Sequence, residues 1–507
     1  MKRVVVIGAG VGGLAAAARL AALGHSVTVV EQAPTVGGKL GVHREAGFTF
    51  DTGPSLVTLP WTLLETLEAT GGTPENLPLR RLDPIARYRF ADDTWLDAWS
   101  DEATFKAELD RHLGLGAGVQ WGALMERAER VWDASEQPIL RSALRGPLDL
   151  LPLAARPRAL HAVAPHRTLR SLGREYLSDP RLRMMLDRYA TYSGSDPRRA
   201  PAALVTVPYA ERTWGGWYID GGLRTIATVL TDRITALGGT VATGTAASRI
   251  LTDGAAATGV KLADGTRIEA DVVVANADAQ ILAAHLLPPA NRRPLRRRLR
   301  HAPRSLAGYV LLLGVRTAGL SGAAADMAAH TVLFPADYDD EFDSLFGRPS
   351  LRRAVVRRVV GATVHRHRYV PDPTIYISVP DDPSVAPAGH QAWFVLVNAP
   401  RTDQATSPPD GYADHILRLM AARGVDVRHA VTLRVERPPA VLEETAATPG
   451  GAIYGTSSNG PLAAFLRPPN VSDLQGLFLV GGSAHPGGGL PLVLLSAEIV
   501  AGQVGAA

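Results

Sequence analysis

The 507-residue sequence contains no cysteine. Disulfides, thiolate nucleophiles, cysteine-ligated iron–sulfur clusters and a redox-active dithiol are therefore excluded. If the protein binds a redox cofactor, the electrons must leave it for an acceptor other than a thiol of this chain. The lack of cysteine therefore excludes oxidoreductase chemistry that uses a thiol of this chain, whereas other oxidoreductase chemistry remains possible.

Lysines and long apolar runs are also scarce. Lysine occurs only at Lys2, Lys39, Lys106 and Lys261 among 53 basic residues, which indicates a GC-rich coding bias and lowers the significance of any one arginine cluster. No apolar stretch reaches 18 residues, so we expect no membrane-spanning helix. The first apolar run leads directly into a glycine turn, which is not the pattern of a signal peptide.

The remaining composition is that of an ordinary folded protein. Apolar residues make up 46% and charged residues 20% of the chain. The length predicts two or three domains. The formal charge of +4 is small, and we expect no nucleic-acid partner.

The first 31 residues carry a dinucleotide-binding pattern. A β-branched run ends at Ile7 and is followed by Gly8, Gly10 and Gly13 in the spacing G-x-G-x-x-G, with an additional Gly12. A helix and a second strand are predicted next, and an acid, Glu31, follows that strand. Glycines at these positions allow a tight turn and close approach of a pyrophosphate to the helix N-terminus. The acid accepts hydrogen bonds from ribose hydroxyls and argues against a 2′-phosphate.

A second glycine pair lies just beyond the acid. Gly37 and Gly38 precede Lys39, and Arg44 follows. This arrangement suits a longer cofactor whose pyrophosphate is held from two sides. The pattern resembles the two-dinucleotide-binding-domain flavoproteins of the amine oxidase and carotenoid desaturase superfamily, which implies FAD as cofactor.

The resemblance assigns roles to two further segments. Phe48 to Asp51 is predicted to be a short strand leading to a Gly-Pro turn, and the family pattern places Pro54 and Ser55 of that turn near the flavin ring. An ordinary hairpin edge is the alternative. In the block from Trp214 to Asp278, the resemblance implies that the backbone near Ala247 contacts the adenine.

The C-terminal region has the same arrangement as the first motif, in which a strand is followed by a glycine turn and a helix. A buried strand from Leu477 to Val480 precedes a glycine turn, and Pro491 opens a final helix. This closely resembles the C-terminal flavin-binding signature of bacterial carotenoid desaturases. The resemblance places Gly482 and Ser483 by the ribityl-pyrophosphate. Further along, it places Pro491 and Leu492 at the pyrimidine edge of the flavin.

Histidine is the residue type considered for catalysis and for metal binding. His485 is the titratable residue of the C-terminal signature, and we expect it to hold the glycine turn. We assign no catalytic acid or base, and the pair His365 and His367 is too sparse to predict a metal site.

The predicted fold class is α/β. A Rossmann-like FAD-binding domain is assembled from the discontinuous segments 1–60, 215–285 and 450–507. Residues 61–214 are predicted to be a helical insertion on the substrate and membrane side. Residues 286–449 are predicted to form the antiparallel sheet of a substrate domain.

Three basic stretches suggest an interface with lipid. Seven arginines lie between Arg141 and Arg174, seven more between Arg292 and Arg304, and arginine pairs recur between 351 and 368. Solvated helices are the alternative for each stretch. An apolar isoprenoid substrate resides in lipid, so we expect a cytoplasmic bacterial protein held peripherally on the inner face of the cell membrane.

The resemblance implies a phytoene-desaturase-like enzyme that oxidises a carotenoid or a carotenoid precursor, with quinone or oxygen as electron acceptor. The segment from Tyr454 to Asn459 is more similar to relatives that act on later or end-modified carotenoids. Isomerisation, saturation or terminal oxygenation by the same scaffold is the second hypothesis. A non-catalytic escort of prenylated proteins, of the GDP-dissociation-inhibitor kind, is the third. Amine oxidation is disfavoured because the C-terminal signature lacks an aromatic pair to enclose an amine.

Overall fold

A computed structural model describes residues 1–74, 77–151, 155–347, 367–405 and 407–507. The basic segment predicted between 351 and 360, and His365, lie outside the described residues. The strands are β1 Arg3–Ile7, β2 Ser26–Val30, β3 Val42–Glu45, β4 Phe48–Asp51, β5 Leu79–Leu82, β6 Ala86–Arg89, β7 Trp95–Ala98, β8 Gly216–Ile219, β9 Thr240–Ala242, β10 Ala247–Asp253, β11 Ala256–Leu262, β12 Arg267–Glu269, β13 Val272–Ala275, β14 Ala307–Arg316, β15 His330–Leu333, β16 Ile375–Ser378, β17 His390–Ala399, β18 Val431–Arg437 and β19 Leu477–Leu479.

The α-helices alternate with these strands and are concentrated between β7 and β8. They are α1 Val11–Ala22, α2 Pro60–Glu68, α3 Glu102–Leu113, α4 Ala117–Ser135, α5 Pro157–Val163, α6 Leu169–Tyr176, α7 Pro180–Arg188, α8 Thr206–Trp214, α9 Thr225–Ala236, α10 Ala279–Ile281, α11 Arg293–His301, α12 Tyr338–Phe346, α13 Tyr412–Ala422, α14 Pro439–Ala446, α15 Ala463–Leu466 and α16 Leu490–Val504.

A five-stranded parallel sheet forms one layer of the fold, in the order β19-β13-β1-β2-β9. Its centre is β1, where Val5 pairs with Val273 on one side and Thr28 on the other. Its three central strands, β13, β1 and β2, are rich in β-branched residues, as expected where both faces of a sheet are covered. Helices α1, α9 and α16 pack on one face, and the β10–β12 sheet packs on the other. The predicted Rossmann-like α/β fold is confirmed.

The order of this sheet determines where a ligand binds. Gly8, Glu31, Asn276 and Gly481 lie just beyond the carboxyl ends of β1, β2, β13 and β19, or one residue further. In a parallel sheet these ends share one edge, and nucleotides bind there. Segments from the start, the middle and the end of the chain therefore meet at one site.

The second layer is a seven-stranded sheet in the order β18-β14-β17-β16-β15-β6-β7. Its pairs are antiparallel except for β15 with β6. Strands β14, β16, β17 and β18 of this sheet lie within residues 286–449, where the sequence predicts an antiparallel sheet. Helices α3 to α8 pack against β6 and β15 through a core that includes Phe105 and Trp121.

The domain boundaries differ from the prediction at residues 79–98. This segment was assigned to the helical insertion, but β6 and β7 belong to the seven-stranded sheet and β5 pairs with β8. Each of these strands has only four residues, and arginines occupy several positions, so the period-two pattern was too short to detect. Their interior faces are apolar nonetheless, since Tyr88 and Leu96 are almost fully buried.

The helices do not resemble membrane spans. Within the described ranges, none combines the length with the apolar composition that crossing a bilayer requires.

Candidate functional site

The first glycine turn is built by very close backbone contacts. Gly8 has φ +97°, a conformation that favours glycine, and Gly10 caps α1. A Cβ placed on Gly13 would lie 2.1 Å from the carbonyl oxygen of Gly8, so no other side chain fits there. The N-terminus of α1 therefore lies directly over the end of β1, as binding of a pyrophosphate requires.

Gly12 joins the two ends of the chain. A Cβ on Gly12 would lie 2.9 Å from the Cα atom of Gly481, in the C-terminal turn. Asn276 lies between these turns and donates from Nδ2 to the carbonyl oxygen of Gly8 at 3.3 Å. Gly12 thus packs on the second glycine motif, and its contact with the cofactor stays a prediction. Sequence analysis assigned no role to Asn276.

Glu31 is held by two backbone amides. Its carboxylate accepts hydrogen bonds from the N–H groups of Ala9 at 2.6 Å and Ala33 at 2.8 Å. An ionised carboxylate accepts about four hydrogen bonds, so about two positions remain for ribose hydroxyls. Ala247 begins β10 nearby, two residues after Thr245, whose N–H donates to the Glu31 carbonyl at 2.7 Å.

A cationic group faces the second glycine pair. The N–H of Gly37 donates to the Ala9 carbonyl at 2.8 Å, which brings this turn onto the first one. Gly38 packs on Gly10, since a Cβ on Gly38 would lie 3.1 Å from the Gly10 Cα atom. The side chain of Arg224 lies 3.4 Å from the Cβ position of Gly37.

Arg224 is a candidate site residue to which sequence analysis gave no role. Its Nε atom is buried and has no hydrogen-bond partner in the part of the chain that is described. Burial lowers the pKa of Arg224, and the nearby charge of Arg44 lowers it further, while Asp51 opposes the shift. Two neighbouring cations, one with an unsatisfied donor, are suited to an anion such as a pyrophosphate.

Lys39 was predicted to bind the cofactor, but its ammonium group contacts protein. Nζ donates to the carbonyl oxygens of Ala452 at 3.0 Å and Ile453 at 2.7 Å. Burial lowers the pKa of Lys39 to about 8, which Asp278 opposes and Arg467 reinforces. In this structure Lys39 links the first FAD-domain segment to the last.

Arg467 organises the C-terminal segment, and sequence analysis gave it no role. It is buried and donates to the carbonyl oxygens of Tyr454 at 3.2 Å, Gly482 at 2.7 Å and Thr456 at 2.5 Å. Burial lowers its pKa to about 10. Its planar fork fixes three backbone groups from two loops at once.

The C-terminal turn is anchored on both sides. Ser483 Oγ accepts from the Ala279 N–H at 2.9 Å. His485 Nε2 lies 2.7 Å from the Ile139 carbonyl oxygen, which only accepts, so Nε2 carries the proton. The helix α16 then begins at Leu490 with Pro491 in its first turn, so the N–H groups of Leu490 and Leu492 have no acceptor within the helix. His485 thus ties the turn to the helical region.

The Gly53-Pro54-Ser55 turn meets the seven-stranded sheet. Ser55 Oγ and the Tyr376 hydroxyl are 2.5 Å apart, and that hydroxyl also contacts His330 Nδ1. Burial and the charge of Arg188 lower the pKa of His330 to about 3, so its imidazole is neutral. The turn that the resemblance places at the flavin ring is therefore connected to the seven-stranded sheet through the Ser55 and Tyr376 hydroxyls.

Comparison with known proteins agrees with this geometry. The model of the family "Flavin containing amine oxidoreductase" matches residues 11–315. The chain belongs to this family. The flavoprotein is therefore an FAD-dependent oxidoreductase.

Its relatives extend over its full length. It is 31% identical to a 4,4′-diapolycopene oxygenase of Methylomonas sp, over 99% of this chain and 98% of that protein. It is 32% identical to a hydroxyneurosporene desaturase of Rubrivivax gelatinosus, over 98% and 92%. It is also 32% identical to a zeta-carotene-forming phytoene desaturase of Myxococcus xanthus, over 98% and 93%.

Solved structures share the fold. An oxidoreductase from Methanosarcina mazei has a TM-score of 0.65 at 18% identity, with 98% of this chain and 99% of that chain covered. Cyclohexylamine oxidase from Brevibacterium oxydans has a TM-score of 0.62 at 18% identity, with 99% and 98% covered. At these identities the likeness concerns the fold alone.

The residues present fit FAD. The glycine cradle admits no Cβ at Gly13, Glu31 keeps acceptor positions free, and Arg224 has an orphaned buried donor beside Gly37. Which residues touch the cofactor remains a prediction, both for the sequence-derived set and for Arg224.

Replacing Arg224 tests its part in FAD binding. Arg224→Met is expected to weaken FAD binding by about 10- to 100-fold, because a charge-assisted hydrogen bond contributes roughly 1.5–3 kcal/mol. The measurement is titration of the apoprotein with FAD, followed by flavin fluorescence. Arg249→Met removes an exposed arginine on β10 and is the control. Equal affinities for the two variants would remove Arg224 from the site.

Proposed function

We propose that this flavoprotein dehydrogenates a carbon–carbon bond in a long acyclic isoprenoid of the carotenoid class. The observation that carries the proposal is the full-length similarity to three enzymes named for carotenoid substrates, at 31–32% identity. FAD, when bound, supplies the capacity to accept a hydride from an allylic carbon. The chain supplies positioning, apolar walls and exclusion of water.

Apolar side chains line one part of a small pocket next to the Gly53-Pro54-Ser55 turn. This pocket lies against the seven-stranded sheet and is lined in part by Phe50, Ser55, Val385, Ala392 and Phe394. Polar side chains, those of Thr49, Asp51, Tyr218 and Ser378, line the rest of it.

Product analysis tests the function and separates desaturation from its main alternative. FAD-loaded protein is incubated with acyclic carotenoids in liposomes, with quinone or oxygen as acceptor. Desaturation removes two hydrogens and lengthens the chromophore, so the absorption shifts to the red. Oxygenation, suggested by the name of the Methylomonas relative, instead adds oxygen to the product. An unchanged substrate under all conditions would contradict the proposal.

We further propose that the protein binds the inner face of the membrane through a basic and apolar surface formed by two of the predicted stretches. Arg298 in α11 donates to the Arg145 carbonyl at 3.1 Å and to the Arg467 carbonyl at 3.2 Å, which brings the stretches together. Exposed leucines lie in the first stretch, where Leu148 is 75% and Leu151 61% exposed, and just before neighbouring α15, where Leu462 is 58% exposed. Exposed leucines flanked by arginines suit the headgroup region of an anionic bilayer.

Other arginines of the first stretch serve the fold instead. Arg141 pairs with Glu65 at 3.0 Å and Glu498 at 3.0 Å, and Arg170 pairs with Asp187 at 2.8 Å. The proposed contact surface is therefore smaller than the predicted stretch from 141 to 174.

Charge removal on α11 tests this surface. Arg293 and Arg297 are exposed, and the double variant Arg293→Gln/Arg297→Gln is expected to bind anionic vesicles about 30-fold more weakly, at roughly 1 kcal/mol per arginine. Vesicle sedimentation at low and high salt measures the change. Arg418→Gln/Arg428→Gln removes the same charge from exposed positions in and beyond α13 and is the control. Equal loss in both variants would contradict a specific surface.

A further inference from the structure

Arg188, the last residue of α7, differs from the other buried arginines. Arg89 pairs with Asp93, Arg127 donates to the Ala162 carbonyl, and Arg423 and Arg467 donate to several carbonyl oxygens. Arg188 is only 8% exposed, yet its guanidinium makes no hydrogen bond or ion pair among the described residues. A buried charge without a partner is costly, so the fold retains this group at the expense of stability.

The surroundings of Arg188 are aromatic. Its Cζ atom lies 5.2 Å from the ring centre of Tyr192 and 5.4 Å from that of Tyr376. These ring faces stabilise a cation modestly but offer no acceptor for its N–H groups. Five donors of the guanidinium therefore remain available within a mostly apolar enclosure.

The nearest acid is already engaged. Glu211 is buried in α8 and accepts hydrogen bonds from the hydroxyls of Tyr189 at 2.6 Å and Tyr192 at 3.3 Å. Burial raises the pKa of Glu211, and these hydroxyls and the charge of Arg188 oppose the rise. Glu211 thus holds the two tyrosines in place without pairing directly with Arg188.

Arg188 is directed towards the cofactor side of the fold. Tyr376, which lies under its guanidinium, contacts Ser55 of the Gly-Pro turn. Arg188 also opposes the rise that burial causes in the pKa of Tyr454. Tyr454 packs on the C-terminal glycine turn, since a Cβ on Gly488 would lie 2.9 Å from its Cα atom. The free guanidinium therefore lies between the helices and both flavin-binding turns.

A plain hydrocarbon cannot satisfy this group, because it carries no hydrogen-bond acceptor. We propose that Arg188 binds an oxygen substituent, a hydroxyl or a carbonyl, near the reacting end of the substrate, so that this protein acts on oxygenated acyclic polyenes in preference to hydrocarbons. The inference rests on the proposed function and specifies its substrate class. Arg188 is then a specificity-determining residue, and the tyrosine rings form the apolar walls around the oxygenated end.

The test compares two acyclic polyenes that differ only in one terminal hydroxyl. The FAD-loaded wild-type protein is expected to bind and convert the hydroxylated polyene at least 10-fold better, measured as Kd by flavin fluorescence quenching and as kcat/KM. Arg188→Met is expected to lose about 10- to 100-fold on the hydroxylated polyene and to change less than about 3-fold on the hydrocarbon, as expected for a hydrogen bond to a charged group. Arg188→Lys keeps the cation and is expected to retain part of the preference.

Each outcome decides between the hypotheses. The role of Arg188 is overturned if the wild type has the same Kd and kcat/KM for the two polyenes. It is also overturned if Arg188→Met loses the same factor on both polyenes. Conversion of the hydrocarbon alone overturns this inference but leaves the proposed function intact. Binding of neither polyene overturns both. If Arg188→Met fails to retain FAD, the wild-type preference and Arg188→Lys decide the matter without it.

Discussion

Gly13→Ala is expected to abolish stable FAD binding, with affinity lowered by at least about 100-fold. The added methyl group would lie 2.1 Å from the Gly8 carbonyl oxygen and 3.0 Å from the Asn276 Cβ atom. Neither neighbour is the end of a flexible side chain, so α1 must move away from β1. Overpacking of this kind costs roughly 1–3 kcal/mol or more, and here the displaced atoms form the cofactor cradle.

Gly502→Ala is a matched control that separates the steric effect of Gly13→Ala from the higher helix propensity of alanine. Gly502 lies exposed in α16, and nothing is within 4 Å of its Cβ position. Gly502→Ala is expected to keep FAD and to raise stability by about 0.5–1 kcal/mol, because alanine favours a helix over glycine. Flavin absorbance after purification and titration of apoprotein measure both variants. Full FAD content in Gly13→Ala would show that the two elements do not pack as described.

Arg467→Met is expected to produce the largest loss of stability, at least about 3 kcal/mol. The substitution removes charged donors from three carbonyl oxygens, in Tyr454, Thr456 and Gly482, within a buried region. The buried acceptors lose their partners, and methionine offers none. The two loops that carry the C-terminal flavin signature are then no longer held together.

Urea unfolding, followed by both tryptophan and flavin fluorescence, measures this effect. Arg428→Met breaks an exposed pair with Asp426 and is expected to change stability by no more than about 0.5 kcal/mol. The flavin signal of Arg467→Met is expected to be lost before the tryptophan signal, since the damage is local to the site. A midpoint equal to that of Arg428→Met would contradict the role given to Arg467.

The sequence revealed those features whose signal is local. The apolar runs before Gly8 and Gly481 predicted buried strands, and residues 286–449 were predicted to contain an antiparallel sheet. Glycine spacing marked both turns because a Cβ is excluded there by the backbone itself. Family resemblance then supplied FAD, which the family match confirms.

The features that sequence analysis missed depend on contacts between distant segments. Asn276, Arg224 and Arg467 each stand in an ordinary local context, and their roles arise only when the chain ends meet. The backbone carbonyls of Ala452 and Ile453, to which Lys39 donates, are likewise distant from it in sequence. Local sequence patterns predict helices, strands and turns. The hydrogen-bond partners of buried polar side chains are instead set by tertiary packing, which brings distant segments together.

The position of β19 beside β13 has a consequence during protein synthesis. The roughly 200 residues between these strands, which include most of the seven-stranded sheet, are made over about 10–40 s at 5–20 residues per second. Throughout that interval β13 is an unpaired edge of a strongly apolar sheet, and such edges promote aggregation. We therefore expect nascent chains to be prone to aggregation, and unable to bind FAD, until the ribosome has released β19 and α16.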